Sequence, residues 1–456
     1  MQQLEKFMAD FAGAVWGLPL IILLFGTHLF LTFRLGFIQR FIGQMIRLSV
    51  KKDEGGQGDV SHFGALTTAL AATIGTGNIF GVAGAVVIGG PGAVLWMWLT
   101  GVFGIATKYA EAVLSVKYRV TTDDGRTVGG PMYVLERGMN AKWLGMIFAG
   151  FTAIAAFGIG NMVQSNTLTG MIERVSANAE GVPAIPSWVV GVILAAATGA
   201  VILGGVKSIA RVCEFLVPIM ACIYVLGCLV ILFLRASVLP DTIMEIIHGA
   251  FSGQAAIGGF AGAGMRAVIQ AGIARGLFSN ESGLGSAPIV AAAARTTNPV
   301  RQALVSASAT FWDTVVICAI TGLVIVSSGH WKSAGIAGKN ALAEAAFGDL
   351  PIFGPFILTF GLMTFVFSTI LGWSYYGERA AEYLFGTRVI LPYRILWVIA
   401  VALPTFEAGK RTAFVWDFGD AMNGLMAVPN LISLIVLSGV IVAETKAHRG
   451  DLTGKE

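Results

Sequence analysis

The chain has 456 residues, 55% of them hydrophobic and only 12% charged. A soluble domain is about 25% charged, so a large water-soluble fold is excluded, and the net charge of +4, spread along the chain, offers no nucleic-acid face. With a mean hydropathy of +0.77 and repeated long apolar runs, the chain reads as an all-α polytopic membrane protein. Its cysteines (Cys213, Cys222, Cys228, Cys318) fall inside apolar runs without a CxxC pair and read as small apolar residues. The histidines (His28, His62, His248, His330, His448) show no HExxH or Cys/His ligand spacing, so no metalloenzyme motif is present. Residues 1–10 mix both charges, so the first apolar run reads as a retained span, not a cleaved signal.

In chain order, apolar runs between polar, Gly- or Pro-marked breaks predict eleven spans. They lie near 14–33, 61–88, 92–115, 143–170, 187–204, 212–234, 246–272, 301–328, 352–384, 390–406 and 424–443. Between the first two, residues 36–52 alternate apolar Phe37, Phe41, Met45 and Leu48 with Arg40, Arg47 and Lys51 at helical spacing, which predicts an amphipathic interfacial helix. A second such helix is expected over 130–139. The basic residues set the orientation. With the N-terminus outside, about 22 of the 30 Lys and Arg face the cytoplasm, including Arg266, Arg275 and the tail from Lys446. Seven (Lys6, Arg174, Arg235, Lys332, Lys339, Lys410, Arg411) face outward, which predicts a multi-pass protein of the cytoplasmic membrane with its C-terminus inside.

Eleven spans divide into one N-terminal helix with the interfacial helix (1–60), a five-helix repeat (61–236), a second repeat (237–445) and a tail (446–456). An odd number per repeat inverts the second relative to the first. The second span has the length to cross but carries Gly75, Thr76, Gly77 and Asn78 at mid-depth. Glycine is a weak helix former, and Thr and Asn compete for backbone hydrogen bonds. A broken helix is expected there, and irregular backbone at that depth needs protein or a water-filled cavity around it. The inverted repeat pairs it with the seventh span, where Gly253, Gly258, Gly259, Gly262 and Gly264 crowd together. Paired glycine-interrupted helices point to a central binding site; the competing reading is close helix packing.

Several stretches carry a family resemblance. Thr73-Ile-Gly-Thr-Gly-Asn78-Ile, the run from Gly89 to Trp98, Ala106-Thr-Lys-Tyr-Ala-Glu111, Gly158-Ile-Gly-Asn-Met-Val-Gln164, Phe278 to Ser286 and Gly372-Trp-Ser-Tyr-Tyr-Gly-Glu378 resemble the alanine/glycine:cation symporter family. With Pro429-Asn430 near the last span, the matches cover essentially the whole chain. The resemblance implies a leucine-transporter-like fold of five-plus-five inverted repeats, with alanine or glycine uptake driven by a cation, usually sodium.

The residues themselves suggest how such a substrate is held. The second half of a broken helix presents unpaired N–H groups and a positive dipole end, so Gly75, Thr76, Gly77 and Asn78, with Thr73 just before them, are the expected carboxylate site. Carbonyls freed at the end of the first half, near Ala71, Ala72 and Ile74, suit a hard cation. Thr364, Ser368 and Thr369 place hydroxyls on one face of the ninth span. The resemblance implies that a hydroxyl pair there, Ser368 and Thr369, completes a sodium site; one of the two could instead face the substrate. It also places Gln164 at the substrate, where its carbonyl could accept from the ammonium. Trp373 is expected to wall the pocket, and Phe157 joins it as a candidate.

Charges inside spans are functional candidates. Asp313 could gate, relay a proton or pair with a buried Arg such as Arg266; Glu281, beside Arg266 and Arg275, could belong to an inner gate. Lys108 and Glu111, three apart on one helix face, are expected to pair with each other. The expected function is sodium-coupled import of a small neutral amino acid by alternating access. The alternatives are a proton-coupled symporter of the same fold and, in a different class, a channel.

Overall fold

The computed structural model describes residues 2–51, 55–177, 183–252, 264–333, 338–407 and 412–454. Among them, seven helices are long and apolar enough to cross a membrane, and two shorter apolar helices, Phe80–Gly89 and Ser187–Ile202, accompany them. The first expected span is two helices, α1 (Gln2–Val15) and α2 (Leu18–Arg34), the latter opened by a proline in its first turn. The interfacial segment forms a short 3₁₀ turn and α3 (Ile42–Val50), which buries Met45 and Leu48 and exposes Arg47, as its spacing predicts.

The second span is broken. In α4 (His62–Thr73) the Ser61 hydroxyl caps the start by accepting from the Gly64 N–H at 2.8 Å. The helix stops at Ile74, a 3₁₀ turn runs over Thr76–Asn78, and α5 (Phe80–Gly89) resumes. Every residue from Gly64 to Val86 is buried, so this span is enclosed by protein rather than lipid. That enclosure is what makes its irregular backbone tolerable. Its walls come from α6 (Gly92–Lys117) and from elements further along the chain.

After α6 comes a two-stranded antiparallel hairpin that the apolar pattern does not announce, β1 (Val120–Thr121) with β2 (Thr127–Val128). A short α7 (Pro131–Tyr133) continues into a π-turn where the second interfacial helix is expected. Next, α8 (Lys142–Phe157) runs through a π-turn at Gly158–Met162 into α9 (Val163–Ala177). Then come α10 (Ser187–Ile202) and α11 (Gly205–Leu234).

The expected seventh span is displaced. Described residues there form α12 (Leu239–Ser252) and α13 (Met265–Asn280). Gly253, Gly258, Gly259 and Gly262 lie outside the described residues, and Gly264 is the N-cap of α13, so it starts a helix instead of interrupting one. The irregular segment lies later. Glu281 takes a left-handed φ of 55°, Gly283 and Gly285 take φ of 90° and 87°, and α14 (Pro288–Ala292) follows. All of 276–294 is buried. The sequence reading missed this break because only two glycines mark it.

The chain closes with α15 (Pro299–Thr310), a π-helical stretch over Phe311–Cys318, α16 (Ala319–Ser327) and α17 (Gly338–Gly348). These are followed by α18 (Phe353–Phe385), α19 (Ile390–Ala402), α20 (Thr412–Val436), α21 (Ser438–Ala447) and α22 (Arg449–Thr453). α4 packs on α11, α15 and α18, and α5 on α13, α16 and α17. Arg275 lines one cavity with Ala9, Ala12 and Gly13 of α1 and Ala267 of α13. Arg266 and Arg275 therefore belong to the N-terminal side, not to the opposite side where the charge count puts them.

Candidate functional site

A small enclosed space sits at the first helix break. Ala72, Thr73, Gly75, Gly77, Ile159, Gln164, Phe278, Glu281, Thr369 and Trp373 surround about 10 Å³, the room of about one water. Both breaks reach it, the first through Gly75 and Gly77 and the second through Glu281. Phe278, Ile159 and Trp373 supply its apolar walls.

Gln164 ties the first break to the π-turn at its side. Its Oε1 accepts from the Thr76 backbone N–H at 3.2 Å, and its Nε2 donates to the Ile159 carbonyl at 2.9 Å. That carbonyl lies in the π-turn of Gly158–Met162, which leaves the regular helical hydrogen-bond pattern. Gly160 in the same turn is required by close approach: a Cβ there would lie 2.1 Å from Cβ of Trp373. Trp373 donates from Nε1 to Glu281 Oε1 at 2.8 Å, while the Ser286 hydroxyl donates to Oε2. A carboxylate is thus held at the cavity wall by neutral donors. Beside the lining residues, the buried Thr76 hydroxyl has no hydrogen-bond partner among the described residues.

Thr369 joins the cavity to the end of α4. Its hydroxyl lies 3.0 Å from the Ala71 carbonyl and 3.1 Å from that of Ile74. Three neutral oxygens from two helices therefore converge where the helix has run out of N–H partners, a donor set that suits a hard monovalent cation.

Other expected residues stand elsewhere. The Asn78 amide is engaged on every side: Oδ1 accepts from the Gly75 N–H at 2.8 Å, and Nδ2 donates to Asp313 Oδ1 at 2.7 Å and to Cys318 Sγ at 3.4 Å. It braces the break and has no donor left for a carboxylate. Asp313 is buried and also accepts from the hydroxyls of Ser279 at 2.9 Å and Thr314 at 2.7 Å. It does not pair with Arg266, which is exposed in the first turn of α13. Ser368 and Thr364 donate to carbonyls of their own helix, at Phe365 and Phe360. Phe157 packs at a tilt against Tyr393 and Trp397, with centroids 5.1 and 5.2 Å away, and does not line the cavity. Thr73 and Ala72 line it, and Thr73 back-bonds to the Leu70 carbonyl at 3.3 Å.

The Lys108–Glu111 expectation also changes. Glu111 Oε1 accepts from the N–H groups of Gly283 at 3.1 Å and Gly285 at 2.9 Å, and from Asn430 Nδ2 at 2.7 Å. The Lys108 ammonium is buried with no hydrogen-bond partner. The left-handed Gly283 and Gly285, on either side of Leu284, aim their N–H groups into a nest that holds the carboxylate. Ile159, Phe278 and Asn430 were missed as site residues. Each lies in a quoted motif, but the apolar Ile159 and Phe278 carry no chemical signal of their own, and the amide of Asn430 acts only through Glu111.

On the N-terminal side, Phe278 stacks on Trp416 at 5.8 Å, and the Lys339 ammonium of α17 lies 3.1 Å from the Trp416 ring centroid. Burial and the Arg275 guanidinium push this ammonium down to about 7, against the pull of Asp420 and Asp417. Arg275 itself pairs with Asp420 at 3.0 Å. A stack of rings and an ion pair therefore cover the cavity from that side.

Residues 1–455 match the sodium:alanine symporter family. The chain belongs to that family. It is 49% identical to the sodium/alanine symporter AgcS of Methanococcus maripaludis over 442 residues, covering 95% of this chain and 94% of that protein. It is equally similar, 49% over 448 residues, to an uncharacterized transporter of Haemophilus influenzae, covering 98% of this chain and 96% of that protein. A probable sodium/glutamine symporter, GlnT of Bacillus subtilis, is 35% identical over 461 residues, covering 100% of this chain and 93% of that protein. Among solved structures, MhsT in complex with L-phenylalanine superposes with a TM-score of 0.60 at 15% identity, covering 87% of this chain and 95% of that one. That likeness carries the leucine-transporter-like fold. Like its symporter relatives, this protein is a multi-pass membrane transporter and not an enzyme.

Proposed function

We propose that the protein imports a small neutral amino acid, alanine or glycine, together with sodium by alternating access. The observation that carries this reading is the pairing of two sites across α4: a contracted polar frame at Gly75–Gly77, which must open to admit an amino acid, and an oxygen cluster at Ala71, Ile74 and Thr369 directly before it. The substrate carboxylate takes the place of Gln164 Oε1 at the Thr76 N–H and receives the free Thr76 hydroxyl. Glu281 receives the ammonium, since its carboxylate already faces the cavity and is held only by neutral donors. Gln164 is then displaced, and its amide can donate to the carboxylate. Trp373, Phe278 and Ile159 leave room for only a short side chain.

Sodium at Thr369 replaces two long hydroxyl–carbonyl contacts with ion–oxygen contacts, tightening α18 onto the end of α4. The same shift firms the turn that holds the carboxylate, and this is the coupling. In this reading the N-terminus is outside, the C-terminus is cytoplasmic, and the eleven spans form one helix plus two inverted sets of five.

Uptake of labelled alanine into proteoliposomes tests the function. Accumulation driven by an inward sodium gradient, abolished by choline replacement and saturating with alanine, is expected. Uptake that ignores sodium and follows a pH gradient would transfer the coupling to a proton, with Asp313 as its carrier. Non-saturating flux would make the protein a channel.

A further inference from the structure

A second polar cavity, away from the transport site, lies where α2 ends and the C-terminal helices fold back. It encloses about 280 Å³. Arg34, Arg40, Lys446 and Arg449 line it, and no acidic residue does. All four are exposed, and none makes an ion pair among the described residues.

The local fold explains why these charges meet. Gly36 ends α2 in the left-handed region, with its N–H donating to the Phe33 carbonyl at 3.1 Å and the Phe37 N–H to that of Thr32 at 2.9 Å. This is a Schellman closure. Phe37 stays left-handed at φ 59°, a rare state for a bulky residue. Two such residues in succession reverse the chain sharply and bring Arg40 round to Arg34. The reversal also leaves Phe33 and Phe37 exposed at 66% and 50%, edge to face at 5.3 Å. From the other side, α22 seats Leu452 in the cavity wall and presents Arg449.

We propose that this cavity binds the headgroup of an anionic phospholipid. The phosphate sits among Arg34, Arg40, Lys446 and Arg449, and an acyl chain runs along Phe33 and Phe37. Four cations with no ion pair among the described residues, Arg40 lying over the Phe41 ring at 4.7 Å, repel one another around one hollow unless an anion joins them. The hollow lies at the end of a membrane-spanning helix, at headgroup level, where basic pockets meet anionic lipid. The neighbouring hollow with Arg47, Lys51 and Arg301 already holds Asp451 in its lining. A lipid in the first hollow would tie the C-terminal helices to the interfacial segment, so the tail is ordered by the membrane itself.

The test compares retention of phosphatidylglycerol and phosphatidylcholine on the purified full chain by native mass spectrometry. Wild type should retain phosphatidylglycerol preferentially. The double variant Arg34→Gln with Arg449→Gln should lose about 25-fold in affinity, at roughly fivefold for each basic residue near an anionic surface. Arg47→Gln, in the neighbouring hollow, should change it less than twofold. Equal retention of both lipids by wild type would overturn the proposal, as would unchanged retention by the double variant. Displacement of phosphatidylglycerol by equimolar inorganic phosphate would also overturn it, making this a soluble-anion site. If the double variant does not fold, the wild-type comparison of the two lipids still decides.

Discussion

The two irregular segments of the core solve the same problem in opposite ways. At the first, between Ile74 and Ile79, the backbone is served by side chains that can leave: Gln164 on the Thr76 N–H and the Thr369 hydroxyl on two carbonyls. At the second, Glu281–Ala287, the N–H groups of Gly283 and Gly285 are filled by the Glu111 carboxylate, which Asn430 also holds. A buried carboxylate with three donors is not easily displaced. In the proposed function, a broken helix takes a ligand where its free backbone groups are met by neutral side chains and not by a built-in charge. At the second segment the built-in Glu111 charge makes the Gly283–Gly285 turn scaffold, while Glu281 at its start still faces the cavity.

Substitutions at the two segments should therefore fail differently. Glu111→Ala leaves the donors of the second segment unpaired, and the loss should be about 3 kcal/mol or more, seen as collapsed yield and a lowered melting temperature in detergent. Glu111→Gln, which keeps an acceptor, should recover part of it. Gly160→Ala forces a methyl to 2.1 Å from Trp373 Cβ and should cost about 1–3 kcal/mol, with a raised KM for alanine as Trp373 shifts.

At the first segment the effects should fall on ligands. Thr369→Val removes one hydroxyl and should raise the sodium needed for half-maximal uptake about tenfold, while the melting temperature without sodium moves little. Ser368→Ala, whose hydroxyl serves its own helix, should shift it less than twofold. Thr76→Val sharpens the contrast most. Its hydroxyl has no partner, so stability should change by less than about 0.5 kcal/mol while alanine affinity falls about fivefold. A large stability loss at Thr76 would mean that the first segment is scaffold too.

The first break could be read from the sequence because glycines, threonines and an asparagine interrupt an apolar run. The second could not, because Gly283 and Gly285 are only two glycines and their stabilising carboxylate comes from Glu111, far off in the chain. Thr369 and Gln164 were legible as cavity residues, but hydroxyl direction was not. Ser368 is one residue from Thr369 and points about 100° away around the helix. Asn78 was chemically plausible as a substrate donor; only the folded chain reveals that Asp313 and the Gly75 N–H engage its amide.

The central claim is that the oxygen cluster at Thr369 couples sodium to the amino-acid frame beside it. Equilibrium binding of labelled alanine to purified wild type and Thr369→Val across a sodium titration tests this most directly. The account predicts alanine affinity that rises with sodium in both proteins, with the Thr369→Val curve displaced to about tenfold higher sodium and reaching a similar plateau. Superimposable curves, or alanine bound equally well in choline, would contradict it.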